Sequence, residues 1–235
     1  MKRFTISVLT YTALEHSRRC VQSILENSGD GRAYDLILTA NGNPEAAKFF
    51  HSVARKNKNV RVVVNDKNLG FIGPNKAALS MTETPFFCLC NDDAIVPRGW
   101  LEAMEKPFLN NPLCALSGPT GGRFRFGPPM PTIQWLEGSC LMGRTELLKA
   151  VGLFSDYLKF ACWEEVDLGF RLIGRGYTLH KTPFDIKHAG KTTRRKIVGM
   201  DSIERNNREE VRRRFPQYFT NAAAEARRTG DVDCK

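Results

Sequence analysis

The 235-residue sequence contains no C-x-x-C pair, no internal repeat and no uninterrupted apolar run of about 18 residues, the length needed to cross a bilayer. The missing span limits any membrane attachment to a peripheral one. Its seven cysteines (Cys20, Cys88, Cys90, Cys114, Cys140, Cys162 and Cys234) are an odd set, and several lie inside apolar runs. Free thiols behave there as small hydrophobes, so a disulfide framework is not expected. A reducing, cytoplasmic setting is expected instead, including host cytoplasm if the chain is viral, or the inner face of a membrane. After Lys2 and Arg3 the apolar stretch is broken by Thr5, Ser7, Thr10 and Thr12, with no small-residue cleavage site, so no signal peptide is read.

The composition itself is that of an ordinary folded chain, with 42% hydrophobic, 26% charged and 10% aromatic residues, and its length suits one large α/β domain. Net charge is +10, and Lys191 to Arg214 holds nine basic and four acidic residues, about half of the excess. Such a segment is either a solvated basic helix face or a contact for a polyanion, nucleic acid or an anionic membrane surface.

Hydrophobic periodicity organises the chain into alternating units. Phe4 to Thr10 reads as a buried strand, followed by a helix with Leu14, Cys20, Val21, Ile24 and Leu25 near one face. Leu36 to Thr39 is a second strand ending in the turn Asn41-Gly42-Asn43-Pro44, and Ala46 to Ala54 recurs at helical spacing. Val60 to Val64 is a third strand, Lys76 to Met81 is helix-like, and Phe86 to Cys90 runs straight into Asn91-Asp92-Asp93. Another helix follows Trp100, Gly118 to Pro131 reads as a loop, and Trp135 to Gly143 reads as one strand. Thr145 caps a short helix to Val151, and Glu164 opens a helix closed by Gly174 or Gly176. Strands alternating with helices imply a mostly parallel sheet, which binds ligands beyond the carboxyl ends of its strands.

The acids are placed for that edge. Asp92 and Asp93 follow a strand, where a pair of carboxylates is a turn former or helix cap more often than a ligand for a hard cation. Mg²⁺ or Mn²⁺ needs only one or two such groups when phosphates fill the other positions. Glu164-Glu165-Val166-Asp167 begins a helix whose dipole favours ionised carboxylates. A lone histidine, His188, suits Mn²⁺ as a further ligand if the fold brings it near Asp93.

The order of these segments, from about residue 4 to 192, resembles family 2 glycosyltransferases of the GT-A fold, in a rhamnosyltransferase-like branch. The matching pieces begin with Ser7-Val8-Leu9-Thr10-Tyr11, Asn41-Gly42-Asn43, Asn68-Leu69-Gly70-Phe71 with Asn75, and Asn91-Asp92-Asp93 with Pro97-Arg98-Gly99-Trp100. Glu137-Gly138-Ser139-Cys140, Val151-Gly152-Leu153-Phe154, Glu164-Glu165-Val166-Asp167-Leu168 and His188 with Gly190 complete them. The resemblance implies a single Rossmann-like domain over 1–190, with a donor half to about 95 and an acceptor half from about 96. A basic helical extension would occupy 191–235. It further implies an inverting, metal-dependent transfer of a hexosyl or deoxyhexosyl group from a UDP-, GDP- or dTDP-linked sugar to a hydroxyl of a glycan, lipid-linked or small-molecule acceptor. By the same resemblance Thr10, Tyr11, Asn41, Asn68, Gly70, Asn75 and Asp92 would contact the donor, and Asp93 and His188 the Mn²⁺ or Mg²⁺. Glu165, with Glu164 beside it, would be the general base.

The chain departs from the family pattern at Ala40, where an Asp commonly binds the nucleobase, at Asn91, and at Glu165, where Asp is usual. Pro74 also stands where a basic residue often precedes Asn75. Three other readings stay open: transfer to hydroxylated bases of DNA, motivated by the basic segments, an inactive nucleotide-sugar-binding module, and a nucleotidyltransferase. The last ordinarily carries a glycine-rich phosphate loop where this chain has Thr10-Tyr11-Thr12-Ala13-Leu14.

Overall fold

The protein is described by a computed structural model that covers residues 2–124, 133–184, 186–188 and 197–219. Its first half repeats a strand-helix unit: β1 (Phe4–Thr10), α1 (Leu14–Asn27), β2 (Tyr34–Asn41), α2 (Pro44–Ala54), β3 (Val60–Asn65), α3 (Ile72–Ser80) and β4 (Phe86–Asn91). β1 is buried on both faces. Phe4, Ile6 and Val8 enter the core beneath α1, α2 and α4, while Thr5 and Ser7 on the other face bond Thr84 and Asn75. α2 starts where its sequence dictates, with Pro44 in the first turn and the Asn43 side chain accepting from the Ala46 amide at 2.9 Å.

The second half contains β5 (Ala94–Ile95), α4 (Trp100–Asn110), β6 (Cys114–Gly118), β7 (Thr120–Phe124), β8 (Ile133–Leu136), β9 (Cys140–Arg144), α5 (Thr145–Ala150), α6 (Glu164–Ile173), β10 (Thr178–Lys181) and β11 (Lys187–His188). α7 (Met200–Arg214) and a 3₁₀ turn at Pro216–Tyr218 follow. Seven strands form one sheet in the order β10-β6-β9-β4-β1-β2-β3. β4, β1, β2 and β3 run parallel, as does the β6–β10 pair, and β9 lies antiparallel between β4 and β6. Apolar clusters cover both faces, the second of them built on Ile37, Phe87 and Leu89 under α3, α5 and α6.

Several boundaries differ from those read in the sequence. The expected strand from Trp135 to Gly143 is two strands, because Glu137-Gly138-Ser139 turns between β8 and β9. The expected loop from Gly118 to Pro131 includes β7, which pairs with β8, and residues 125–132 lie outside the described residues. Thr145 is the first helical residue of α5 rather than its cap, and its buried hydroxyl has no hydrogen-bond partner.

The C-terminal extension is also more integrated than a division at residue 190 implies. α7 buries Met200, Asn207 and Val211. The Phe170 ring of α6 lies 5.6 Å from Phe215, 4.5 Å from Tyr218 and 5.6 Å from Phe219, so these rings extend the core of the second half. Arg212 stacks over Phe219, Arg214 stacks over Tyr157, and Arg213 and Arg214 pair with Glu210. Lys191, Arg194, Arg195 and Lys196 lie outside the described residues. No helix among the described residues is long and apolar enough to cross a membrane.

Candidate active site

Strand register gathers several of the residues expected at the donor at one edge. Thr10 pairs with Ala40 and Ala40 with Val64, Leu9 pairs with Asn91, and Asn41 pairs with Asn65, so the carboxyl ends of β1, β2, β3 and β4 lie side by side. Tyr11 and Asp92-Asp93 continue from that edge, and the half-buried Tyr11 offers side-chain surface there. Ala40 is fully buried and, lacking a polar group, gives a nucleobase nothing to hydrogen-bond.

Several expected donor contacts have side chains bonded within the protein. Asn41 accepts at Oδ1 from the Asn65 side chain at 3.0 Å and the Leu69 amide at 3.1 Å, and its Nδ2 donates to Asn68 Oδ1 at 2.9 Å and the Gly70 carbonyl at 3.0 Å. With 1% of its surface exposed, Asn41 organises the 65–70 turn. Asn68 closes that turn by accepting from the Gly70 amide. Gly70 has φ +78°, and a Cβ there would stand 2.8 Å from the Phe160 carbonyl oxygen, so only glycine fits without displacing backbone. Asn75 is buried, accepting from Ser7 Oγ and donating to the Phe71 carbonyl. Thr10 is likewise buried, its hydroxyl 2.8 Å from that of Ser17.

Asp92 and Asp93 are 8% and 7% exposed. Asp92 Oδ2 accepts from Ser17 Oγ at 3.2 Å, a contact from α1 that no local feature of the sequence announces. Burial, then the adjacent Asp93 charge, push the Asp92 carboxyl up to about 7, against the opposing effect of the Ser17 and Thr10 hydroxyls. Two adjacent buried carboxyls, of which Asp92 is raised by burial and by the Asp93 charge, fit a divalent cation, which offsets both effects. Among the described residues no group of three or more His, Cys, Asp or Glu side chains is arranged to hold a metal. His188 stands opposite Ala94 in the β5–β11 pair, which brings its backbone next to the residue after Asp93, while its side chain lies outside the described residues.

The acids of α6 have three different environments. Asp167 is fully buried and accepts from Ser155 Oγ at 2.7 Å, from Tyr157 and from Arg171 Nε at 2.8 Å, and Arg171 donates onward to the Val151 and Leu153 carbonyls. This is an anchor for the 151–157 segment. Glu164 is buried, its Oε2 without a hydrogen-bond partner, and burial followed by the Glu165 charge raises its carboxyl well above the ordinary range. Glu165 is half-buried, and burial with nearby Glu137 raises it to about 7. Of this adjacent pair, Glu165 is the half-buried carboxyl and the one raised to about 7.

Glu165 and the Asn91-Asp92-Asp93 segment flank one turn. A Cβ on Gly138 would lie 3.7 Å from Cβ, Cγ and Cδ of Glu165, and the carbonyl of the next residue, Ser139, accepts from the Asn91 amide at 2.8 Å. β9, paired with β4, therefore carries the surface on which Glu165 packs to the strand that presents the aspartates. A hollow of about 640 Å³ at the C-terminal end of α2 is lined by Lys48, His51, Ala54 and Arg55, none of which belongs to this edge.

Comparison with known proteins agrees with this architecture. No curated protein sequence matches the chain. Among solved structures, the Staphylococcus aureus TarS crystal structure superposes with a TM-score of 0.59 at 14% identity, covering 78% of this chain and 36% of that one. The chain thus spans about a third of the length of TarS, and the likeness is one of fold: an α/β GT-A domain with a mostly parallel sheet. Residues 5–155, from β1 to just beyond α5, match the family described as Glycosyl transferase family 2, and the chain belongs to that family of glycosyltransferases.

Proposed function

We propose that the chain moves a sugar from a nucleotide-sugar to a hydroxyl acceptor with inversion, Glu165 acting as general base. The observation that carries this is the placement of Glu165: a half-buried carboxyl, raised to about 7, packed on the turn that also borders Asn91-Asp92-Asp93. A base with a pKa near the working pH combines a useful deprotonated fraction with good proton affinity. Inversion in a single displacement requires one such carboxylate near the acceptor hydroxyl and no protein nucleophile.

On this reading Tyr11, the 65–70 turn and the 91–93 segment line the donor. Asn41, Asn68 and Asn75 contribute by shaping that edge, since their side-chain amides are bonded within it. Asp93, with Asp92 behind it and His188 beside it in the β5–β11 pair, would hold Mn²⁺ or Mg²⁺. Such a cation supplies charge neutralisation at the diphosphate leaving group. Asp167 is removed from the set of candidate bases, because Arg171, Ser155 and Tyr157 occupy its carboxylate. A glycan, lipid-linked or small-molecule acceptor is favoured over DNA by α7, which carries five arginines against four acids with its C-terminal arginines stacked or paired.

The test is Glu165→Gln, assayed with whichever UDP-, GDP- or dTDP-sugar most raises the melting temperature in Mn²⁺. Transfer should fall by about 10²–10⁴-fold while calorimetric donor affinity is unchanged. Near-normal turnover would move the base to Glu164.

A further inference from the structure

We infer that Asn207, on α7, is a positioning residue for the acid-bearing end of α6: it fastens the strained segment 159–163 that sets where Glu165 stands relative to the donor-side turn at 68–71. The inference rests on the reading of Glu165 as base, although its structural half does not.

The segment before α6 is held in an unfavourable shape. Phe160, Cys162 and Trp163 have φ of 62°, 77° and 72°, left-handed values that bulky L-residues seldom adopt. Backbone of this kind persists only where the surroundings over-determine it. One side chain supplies most of that determination. Asn207 Oδ1 accepts from the Lys159 amide at 3.0 Å, and Nδ2 donates to the carbonyls of Lys159 at 2.9 Å, Ala161 at 2.9 Å and Cys162 at 3.0 Å. It is 1% exposed, and α7 is itself held by buried Met200 and Val211. The primary amide suits the position because it combines an acceptor with two N–H donors. Aspartate would set a negative charge against three carbonyl oxygens.

The same segment grips the donor side. The Phe160 carbonyl accepts from the Phe71 amide at 2.6 Å and the Ile72 amide at 3.3 Å, and Gly70 packs against it without room for a side chain. The Gly70 carbonyl and Asn68 are bonded in turn to Asn41 at the end of β2. A continuous bonded path therefore runs from α7 through 159–163 to the donor edge. The other end of the segment leads directly into Glu164 and Glu165. Releasing Asn207 frees the segment to relax its φ angles, which re-aims the start of α6 and admits water to Glu165.

The experiment compares the full chain with Asn207→Ala, Asn207→Asp and Val211→Ala, the last loosening α7 packing while keeping the four Asn207 bonds. Hydrogen exchange read by mass spectrometry should show peptides containing Phe71–Ile72 and 160–165 exchanging at least about tenfold faster in both Asn207 variants, with β1 and β4 peptides unchanged. Turnover of the nucleotide-sugar chosen from the UDP, GDP and dTDP panel should show kcat lowered by about tenfold or more, with the pH limb near 7 displaced towards ordinary carboxylate values. Val211→Ala should leave that limb in place. Wild-type exchange at these peptides in both Asn207 variants overturns the inference. So does faster exchange with unaltered kcat and pH limb, which is the signature of a purely structural tie. Failure of the base reading is recognised separately, by full turnover in Glu165→Gln.

Discussion

Replacing Asp92 by asparagine removes a charge that the fold holds in an unfavourable place. The carboxyl is 8% exposed and raised from 3.8 to about 7, so between those pH values the folded protein keeps a proton that the unfolded chain has lost. Stability therefore falls as pH rises from about 4 to about 7 and is level with respect to this group above that window. At about 1.4 kcal/mol per pKa unit, the displacement is worth about 4 kcal/mol at pH 8. The asparagine side chain cannot ionise, but its NH₂ must find an acceptor among the Thr10 and Ser17 hydroxyls, an adjustment of about 1 kcal/mol. The variant should thus be about 3 kcal/mol more stable than wild type at pH 8, a rise in melting temperature of about 5–10 °C for a chain of this size. At pH 4 the two should be nearly equal. Denaturant unfolding in EDTA from pH 4 to pH 8 measures the difference, which isolates Asp92 from the similarly raised Glu164 and Glu165. Parallel curves for the two proteins would refute a buried, charge-opposed Asp92.

Asp93→Ala should abolish the dependence of nucleotide-sugar affinity on Mn²⁺, measured by calorimetry with and without the ion; an unchanged dependence removes Asp93 from the metal site. Asp167→Asn should destabilise the fold by about 3 kcal/mol or more, because Arg171 is left without its buried counter-charge, and denaturant unfolding gives the value. Cys20, Cys88, Cys90, Cys114 and Cys140 are buried, and burial raises the thiols of Cys88, Cys114 and Cys140. Native-state alkylation at pH 8 should spare all five, with mass spectrometry locating the adducts.

The fold is legible in the sequence where local pattern and burial coincide. β1 lies at Phe4–Thr10, as its sequence predicts, since Phe4, Ile6 and Val8 alternate with Thr5 and Ser7 before the stretch ends in a turn. β6 is not legible because Cys114-Ala115-Leu116-Ser117-Gly118 carries no alternation, and its strand character comes from β9 and β10 on either side. The antiparallel insertion of β9 was hidden for a related reason: pattern reports burial and not strand direction. The acids at 92–93 and 164–165 were identifiable by type, but their common border on Gly138-Ser139 depends on β9 lying beside β4. Residue identity also does not say which way an amide points. Asn41 and Asn75 were expected at the donor, and the fold turns their side chains to backbone and side-chain partners instead. Asn207 had no local signal, sitting in a segment notable only for its charge, 42 positions beyond Glu165.

That separation orders events during synthesis. β1 to β4 and their helices can assemble as soon as they leave the ribosome, because the pairings among them all fall within residues 4–91. The second half cannot. When Glu165 emerges, Phe215, Tyr218 and Phe219 have not been made, the ring of Phe170 is bare, and the 159–163 segment has nothing to hold its left-handed turns. The nascent chain therefore carries a paired β1–β4 sheet beside an unanchored α6 for the time taken to add α7, and the 70–72 turn stays without its Phe160 partner over the same interval. That interval is when apolar surface on α6 is most open to chaperones or to aggregation, and the appearance of α7 closes it.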